Sequence, residues 1–296
     1  MSGEYARSGR GAVVVTGAAV LLPGADTVRA LADGPAAGGT PVDPAAHVGR
    51  KGLRYKDRAT QLGYCLTAAA LRDAGLLVDG GDGLTVPAGT VGVVASSNFG
   101  NLDTVVRALD TIREETVTAT SPMDLPNASS NVIASSAAIR YGLRGPNLMV
   151  CNGETSGLDA VHWATTMIGS GRVDRVLVLG VEPDNDVVRR LLGGTRAVDG
   201  GAALVLESRA AAAQRSVTVR AVLGSYRRSA DAPSLRGRRW QLPQHLGRAS
   251  GAGGVLQCAA AVGWFDAGEN DPVHAVAGTA ADDAIADLLL LAPGAA

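Results

Sequence analysis

The chain has 296 residues, of which 46% are hydrophobic and only 3% aromatic, so its core is built from small and branched side chains, as in layered α/β folds. With 27 basic and 28 acidic residues the net charge is −1, which removes the electrostatic case for a nucleic-acid partner. No apolar run approaches the length of a membrane span, which argues against a membrane-embedded function.

In chain order, residues 1–10 read as a polar, flexible N-terminus without the apolar stretch of a secretion signal. Ala12 to Gly17 is a short β-branched run and predicts a buried strand. A polar stretch rich in Pro and Gly extends from Pro23 to about Arg50. Lys56 to Gly75 predicts a helix, with Leu62, Cys65, Leu66, Ala69 and Leu71 at helical spacing and Gly75 as its C-cap. Thr90 to Ser96 predicts a second strand, Asn98 to about Glu114 a helix, and Ser121 to Asn127 a Pro-punctuated loop. Asn127 to Tyr141 reads as a Ser- and Ala-rich helix. Leu148 to Cys151 reads as a strand, Thr155 to Ser170 as a helix, Asp174 to Gly180 and Gly200 to Glu207 as strands. This alternation calls for a mostly parallel, layered α/β fold. Beyond it, Ser216 to Gly224 predicts a strand, then a basic loop to Arg239, a Gly/Ala-rich helix over Ser250 to Phe265, a short strand at Val273 to Val276, and either helix or strand over Ala280 to Leu291.

Two side-chain groups call for a reading on their own. Arg227, Arg228, Arg236, Arg238 and Arg239 form either a solvated loop or a docking patch for an acidic partner. Cys65, Cys151 and Cys258 have no CxxC spacing and no His at metal-ligand spacing, which predicts no metal site and buried, reduced thiols that suit a cytoplasmic protein.

Six segments in order then carry a resemblance: VVVTGAAVLLPGAD from Val13, KDRATQLGYCLTAAALRDAG from Lys56, LPNASSNVIASSAAIRYGLRGPNLMV from Leu125, SGRVDRVLVLGVEP from Ser170, DGGAALVLES from Asp199 and LGRASGAGGVLQCAAAV from Leu246. Together they resemble the β-ketoacyl synthases of fatty acid and type II polyketide pathways. The resemblance implies a thiolase-like fold of five layers, α-β-α-β-α, with a reduced C-terminal half. Residues 11–215 form the first half and residues 216–296 the shortened second half of one structural unit. It also implies pairing into dimers. The family's chemistry is a decarboxylative condensation. A cysteine at a helix N-terminus takes the acyl chain, the helix end favours its thiolate, and two histidines bind the developing oxyanion.

Aligned on GPNLMV and SGLDA, Glu154 stands where the family's nucleophilic cysteine belongs. Cys151 lies three residues earlier, in the predicted strand, without the helix N-terminus that lowers a thiol pKa. The family's GHxxGAAG reads GRASGAGG here, so Arg248 replaces a histidine; His245 is out of register, and Pro243 falls where a lysine would stand. No HGT triplet occurs, and AVAGTAADDA, Ala275 to Ala284, occupies the place of the glycine-rich C-terminal loop. With those groups gone, the resemblance implies a chain-length-factor-like subunit of a type II polyketide synthase. Such a subunit pairs as a heterodimer with a catalytic ketosynthase and shapes the chain tunnel. It has no catalysis of its own and no cofactor, and it reaches the acyl carrier protein through its partner. Loss of outer helices from the second half predicts exposed apolar faces there.

On this reading Glu154 caps the following helix and pairs with Arg248 in the former active site. The alternatives are a stand-alone malonyl decarboxylase or hydrolase using Glu154, and a scaffold or regulatory paralogue. By motif position, Phe99, Leu102, Val106 and Met123 line the tunnel, the first three on one helix face, or else are core residues. Leu125, Asn127, Asn131, Ile133, Leu148 and Val150 are placed at the dimer interface.

Overall fold

Residues 11–231 and 238–294 are described in a computed structural model. The predicted N-terminal segment 1–10, and Arg236 of the basic group, lie outside the described residues. Strand β1, Val13–Leu21, is buried along its whole length. The Pro/Gly-rich stretch after it holds two short helices instead of being irregular throughout. Thr27 caps α1 (Val28–Asp33), and Asp43 with Pro44 at the first helical position starts α2 (Pro44–Val48). Next come α3 (Arg58–Asp73), β2 (Val91–Ser96), α4 (Leu102–Glu114), α5 (Asp124–Asn127), α6 (Val132–Tyr141) and β3 (Asn147–Val150). They are followed by α7 (Ser156–Gly169), β4 (Arg175–Glu182), α8 (Asp186–Leu191), β5 (Gly200–Ser208) and α9 (Arg209–Gln214). The last part holds β6 (Ala221–Ser229), β7 (Arg238–Arg239), α10 (Gly253–Asp266), β8 (Val273–Ala277) and β9 (Ile285–Leu291).

The strands run in the order β3-β2-β4-β5-β1-β6-β9-β8-β7. The order β6-β9-β8-β7 repeats β1-β5-β4-β2, with the same parallel and antiparallel pairings. The chain is therefore two copies of one half-unit, joined where β1 meets β6 over two residue pairs. Read this way, the second copy has no counterpart of α3, α6 or β3 among the described residues. The sheet is mixed, not mostly parallel. The segment between β4 and β5, which holds only the short α8, turns back beside β4 without crossing the sheet, so β5 returns antiparallel to β4 and to β1.

Alternation along β4 sorts the layers. Leu177, Leu179 and Val181 face α3 and α6 in one apolar cluster, while Val176 and Val178 face the cluster built by α7 and α10. Inner residues of the β8–β9 half of the sheet (Ala275, Leu288 and Leu290) join that second cluster, so α7 and α10 form a central layer between the two halves of the sheet. This is the expected thiolase-like arrangement with its last outer layer reduced. Among the described residues, α9 is the one helix at that side, covering a corner at Val14, Val222 and Leu291.

Two boundary readings are corrected and one open reading is resolved. Ser121–Asn127 contains α5, and Ala280–Leu291, predicted as either helix or strand, holds strand β9. The predicted strand at Ser216–Gly224 begins at Ala221 and runs to Ser229, so Arg227 and Arg228 sit on β6 instead of in a loop, because pairing with β9 continues through Ser229. The expected apolar exposure in the second half is also absent. Among the described residues, the large apolar side chains exposed to solvent all precede residue 192, from Tyr55 to Leu191.

Candidate functional site

Parallel strands β2, β3 and β4 end at one edge of the sheet, at Ser96, Val150 and Glu182, and the central helices α7 and α10 begin beside them. Such a crevice at the carboxyl ends of strands is where α/β folds place their sites. The two helix starts touch through glycines. A Cβ on Gly254 would lie 2.5 Å from the Leu158 amide nitrogen, and one on Gly157 would lie 2.9 Å from the Gly254 nitrogen. Two helical positive ends therefore converge on one spot and favour negative charge there.

Glu154 supplies that charge. It sits in the turn ahead of α7, and its Oε1 accepts from Arg248 Nη2 at 2.8 Å and Nε at 3.1 Å. The expected pairing is therefore present, but it is not buried: the side chains are 26% and 53% exposed. No backbone N–H bond to Glu154 accompanies it, so the expected helix cap is not made by this carboxylate. The elbow is instead held by Ser156 Oγ, which accepts from the Asn152 amide and donates among Asn152, Gly153 and Asn98 oxygens. An exposed pair of this kind contributes about 1 kcal/mol or less. Glu154→Gln should accordingly change unfolding free energy by less than about 1 kcal/mol in urea titration.

The pair lies at a cleft of about 310 Å³, lined on the apolar side by Phe99, Leu191 and Leu192 and on the polar side by Asn98, Ser250 and Asp282. Asn98 ties two walls together, donating from Nδ2 to the Gly153 carbonyl and to Ser250 Oγ, both at 2.8 Å. Ser250 has φ +38°, a left-handed backbone held by this packing. Beneath lies Glu182, fully enclosed. Its Oε1 accepts from the amides of Asn98 (2.7 Å) and Gly251 (2.9 Å), and its Oε2 from the Phe99 amide (3.0 Å) and Ser97 Oγ (2.8 Å). Burial raises its pKa to about 7 despite those four donors.

Phe99 is not on the face of α4. Glu182 and Ser97 claim the amides of residues 98–100, so the helix begins only at Leu102. Phe99 is buried against Val188, Ala197 and Leu192; Leu102 and Val106 are half-buried on α4, and Met123 is exposed ahead of α5. The residues expected at a dimer interface divide. Leu125 and Asn131 are exposed and Leu148 is half-buried, whereas Asn127, Ile133 and Val150 are enclosed by this chain itself. Asn127 is drawn inward by Lys56 and by the Tyr55 and Met123 carbonyls, and Ile133 by contact with Gly63.

Cys151 is exposed, not buried in a strand as expected, because β3 ends one residue before it. Partial burial of its sulfur and the charge of Glu182 both push its thiol pKa up, the opposite of an activated nucleophile. His245 is engaged with the Pro35 carbonyl. None of the cleft-lining residues is a cysteine or histidine. Among the described residues no group of three or more metal-ligating side chains gathers, and no helix is long and apolar enough to cross a membrane. Sequence reasoning missed Asn98, Glu182 and Asp282. For Glu182 there was a usable signal, an acidic residue closing the apolar run VLVLGV at the site end of a buried strand.

Residues 42–190 match the N-terminal domain of the β-ketoacyl synthases. The chain is 30% identical to 3-oxoacyl-[acyl-carrier-protein] synthase 2 of Vibrio cholerae over 46% of its own length and 32% of that protein's. It is 30% identical to the granaticin polyketide β-ketoacyl synthase 1 of Streptomyces violaceoruber over 62% of its length and 50% of that protein's. The chain thus spans about a third to a half of the length of these curated relatives. Among solved structures it is similar to the ishigamide ketosynthase/chain length factor, with a TM-score of 0.79 at 20% identity over 96% of this chain and 100% of that one. A type II polyketide ketosynthase in complex with its acyl-carrier protein gives a TM-score of 0.79 at 16% identity, with 96% and 100% covered. At those identities the likeness concerns the fold alone. The sequence match over half of the chain, and the elbow it contains, establish that this chain belongs to the β-ketoacyl synthase family.

Proposed function

We propose that this chain is a non-condensing, chain-length-factor-like subunit that pairs with a catalytic ketosynthase and shapes the tunnel in which a polyketide chain grows. The observation that carries the reading is Glu154 held by Arg248 at the elbow, where an acyl-accepting thiolate would otherwise stand. A carboxylate beside a guanidinium offers no thioester site, so the chain's contribution falls to its surfaces.

Those surfaces support a partner. α4 buries only Thr104, on the side away from its apolar stripe; Leu109 and Ile112 in that stripe are 59% and 43% exposed. β3 is an edge strand, paired on one side only, and α6 and α7 flank it with Ile139 and Trp163 exposed. On this reading Leu125, Asn131 and Leu148 meet the partner, while Asn127, Ile133 and Val150 hold those residues in place from within. Leu102, Val106 and Met123 border the tunnel on the same side, and Phe99 supports them from beneath. The acyl carrier protein would be engaged through the catalytic partner in the cytoplasm. Likeness in fold to a ketosynthase/chain length factor supports the pairing.

Co-expression with a ketosynthase that keeps its cysteine and histidines tests this. The expected result is a co-purifying pair, with little soluble chain when expressed alone. A monodisperse monomer that ignores the ketosynthase would overturn it.

A further inference from the structure

The roles above leave Glu182 unused. It is a fully buried carboxylate with no ion pair among the described residues, and it gathers three separate pieces of backbone. Ser97, Asn98 and Phe99 form the turn between β2 and α4; Gly251 belongs to the turn before α10; Glu182 itself ends β4. The gathered pieces have functional neighbours. Asn98 and Phe99 line the cleft, and Asn98 also grips the elbow at Gly153. Two residues past Phe99, the Asn101 carbonyl accepts the Thr104 and Val105 amides that open α4. Leaving four donors unmet in a closed interior would be costly, so the carboxyl is the common acceptor on which the arrangement depends.

We infer that Glu182 is a positioning residue that locks the cleft wall and the first turn of α4 into one unit, so that the elbow and the apolar helix face keep a fixed relation. This stands on the fold alone and does not require the pairing proposed above.

The switch chemistry is local. With Glu182 ionised, Ser97 donates to Oε2. With Glu182 protonated, Oε2–H can donate to Ser97 Oγ, which already accepts the Gly100 amide. Ser97 Oγ thus keeps a bond to Oε2 in both states, as donor in the first and acceptor in the second. Cys151 is the neighbouring titratable side chain that feels the Glu182 charge. Asp184, two residues on, is turned into Arg189 and Arg196. Burial raises the folded-state pKa to about 7, from an unfolded value of 4.5. The sign follows: the closed turn binds a proton that the opened turn releases. Closure is therefore favoured most below the ordinary carboxylate range, and the advantage is lost as pH rises through about 7.

Amide hydrogen exchange on the full chain as purified, corrected for intrinsic pH dependence, tests this with the Glu182→Gln variant. The amide NH2 group of glutamine cannot accept: in the Oε1 position it leaves the Asn98 and Gly251 amides without an acceptor, and in the Oε2 position it strands the Phe99 amide, while Ser97 Oγ can turn to accept. In wild type, protection at Asn98, Phe99 and Gly251 should rise about tenfold or more between pH 8 and pH 5. In Glu182→Gln, protection at Phe99 should fall at least tenfold, Thr104 and Val105 should fall with it, and the pH dependence should flatten. Ser97→Ala, which removes one donor and keeps the carboxylate, should shift the same amides in the same direction by less, and it serves if the first variant does not fold. Unchanged protection in both variants overturns the inference. So does a loss at Phe99 that leaves Thr104 and Val105 intact, or a pH dependence that survives in Glu182→Gln.

Discussion

Gly254→Ala should lower the melting temperature by about 6–12 °C, which corresponds to roughly 3 kcal/mol in a chain of this size. The added methyl would sit 2.5 Å from the Leu158 amide nitrogen and 2.7 Å from Leu158 Cγ. Backbone atoms cannot give way as a flexible side chain can, so α10 must move off α7 in the centre of the molecule. Gly169→Ala is the control. Its Cβ meets nothing within 4 Å, at the end of α7, the other central helix, and it should leave the melting temperature unchanged or slightly raised. Thermal unfolding of both variants decides whether the helix contact or general glycine loss is responsible.

The second large effect concerns association. Leu109→Asp with Ile112→Asp places two carboxylates on the exposed stripe of α4. Neither residue is buried in this chain, so the variant should fold as wild type does. If α4 faces a ketosynthase, two charges are forced into an apolar contact, and affinity should drop about a hundredfold or more. Gel filtration of the co-expressed pair would then show the two chains separating. Trp163→Glu, on the flank of β3, should act in the same direction. A pair that survives all three substitutions would place the partner elsewhere.

The sequence carried the layered fold because the buried strands announce themselves as β-branched runs and the long helices as periodic ones. The proposed place of Glu154 at the elbow rests on the register of GPNLMV and SGLDA, which lie within a few residues of it. The sequence did not carry the mixed sheet, since strand direction depends on how the segment between β4 and β5 returns, not on local composition. The start of α4 was misplaced because the amides of Asn98 and Phe99 bond to a side chain more than eighty positions away. The same long-range bond hid Glu182, whose role exists only once three turns meet. The burial of Ile133 and Asn127 within this chain was not legible, because a small-residue helix such as that of Ile133 looks alike whether its partner is α3 or a second chain, and Asn127 is held by Lys56 and the Tyr55 carbonyl, some seventy positions away. The internal repeat of strand order was also invisible, since the two halves share topology without shared residues.

The central claim is that the condensing site has been removed from this chain and that its role lies with a catalytic partner. The most direct test loads the co-purified pair with an acyl group from an acyl carrier protein and weighs each intact chain. The account predicts an acyl adduct on the partner's cysteine and an unchanged mass for this chain. An acyl adduct on this chain, or turnover of a malonyl thioester by this chain alone that Glu154→Ala abolishes, would contradict it.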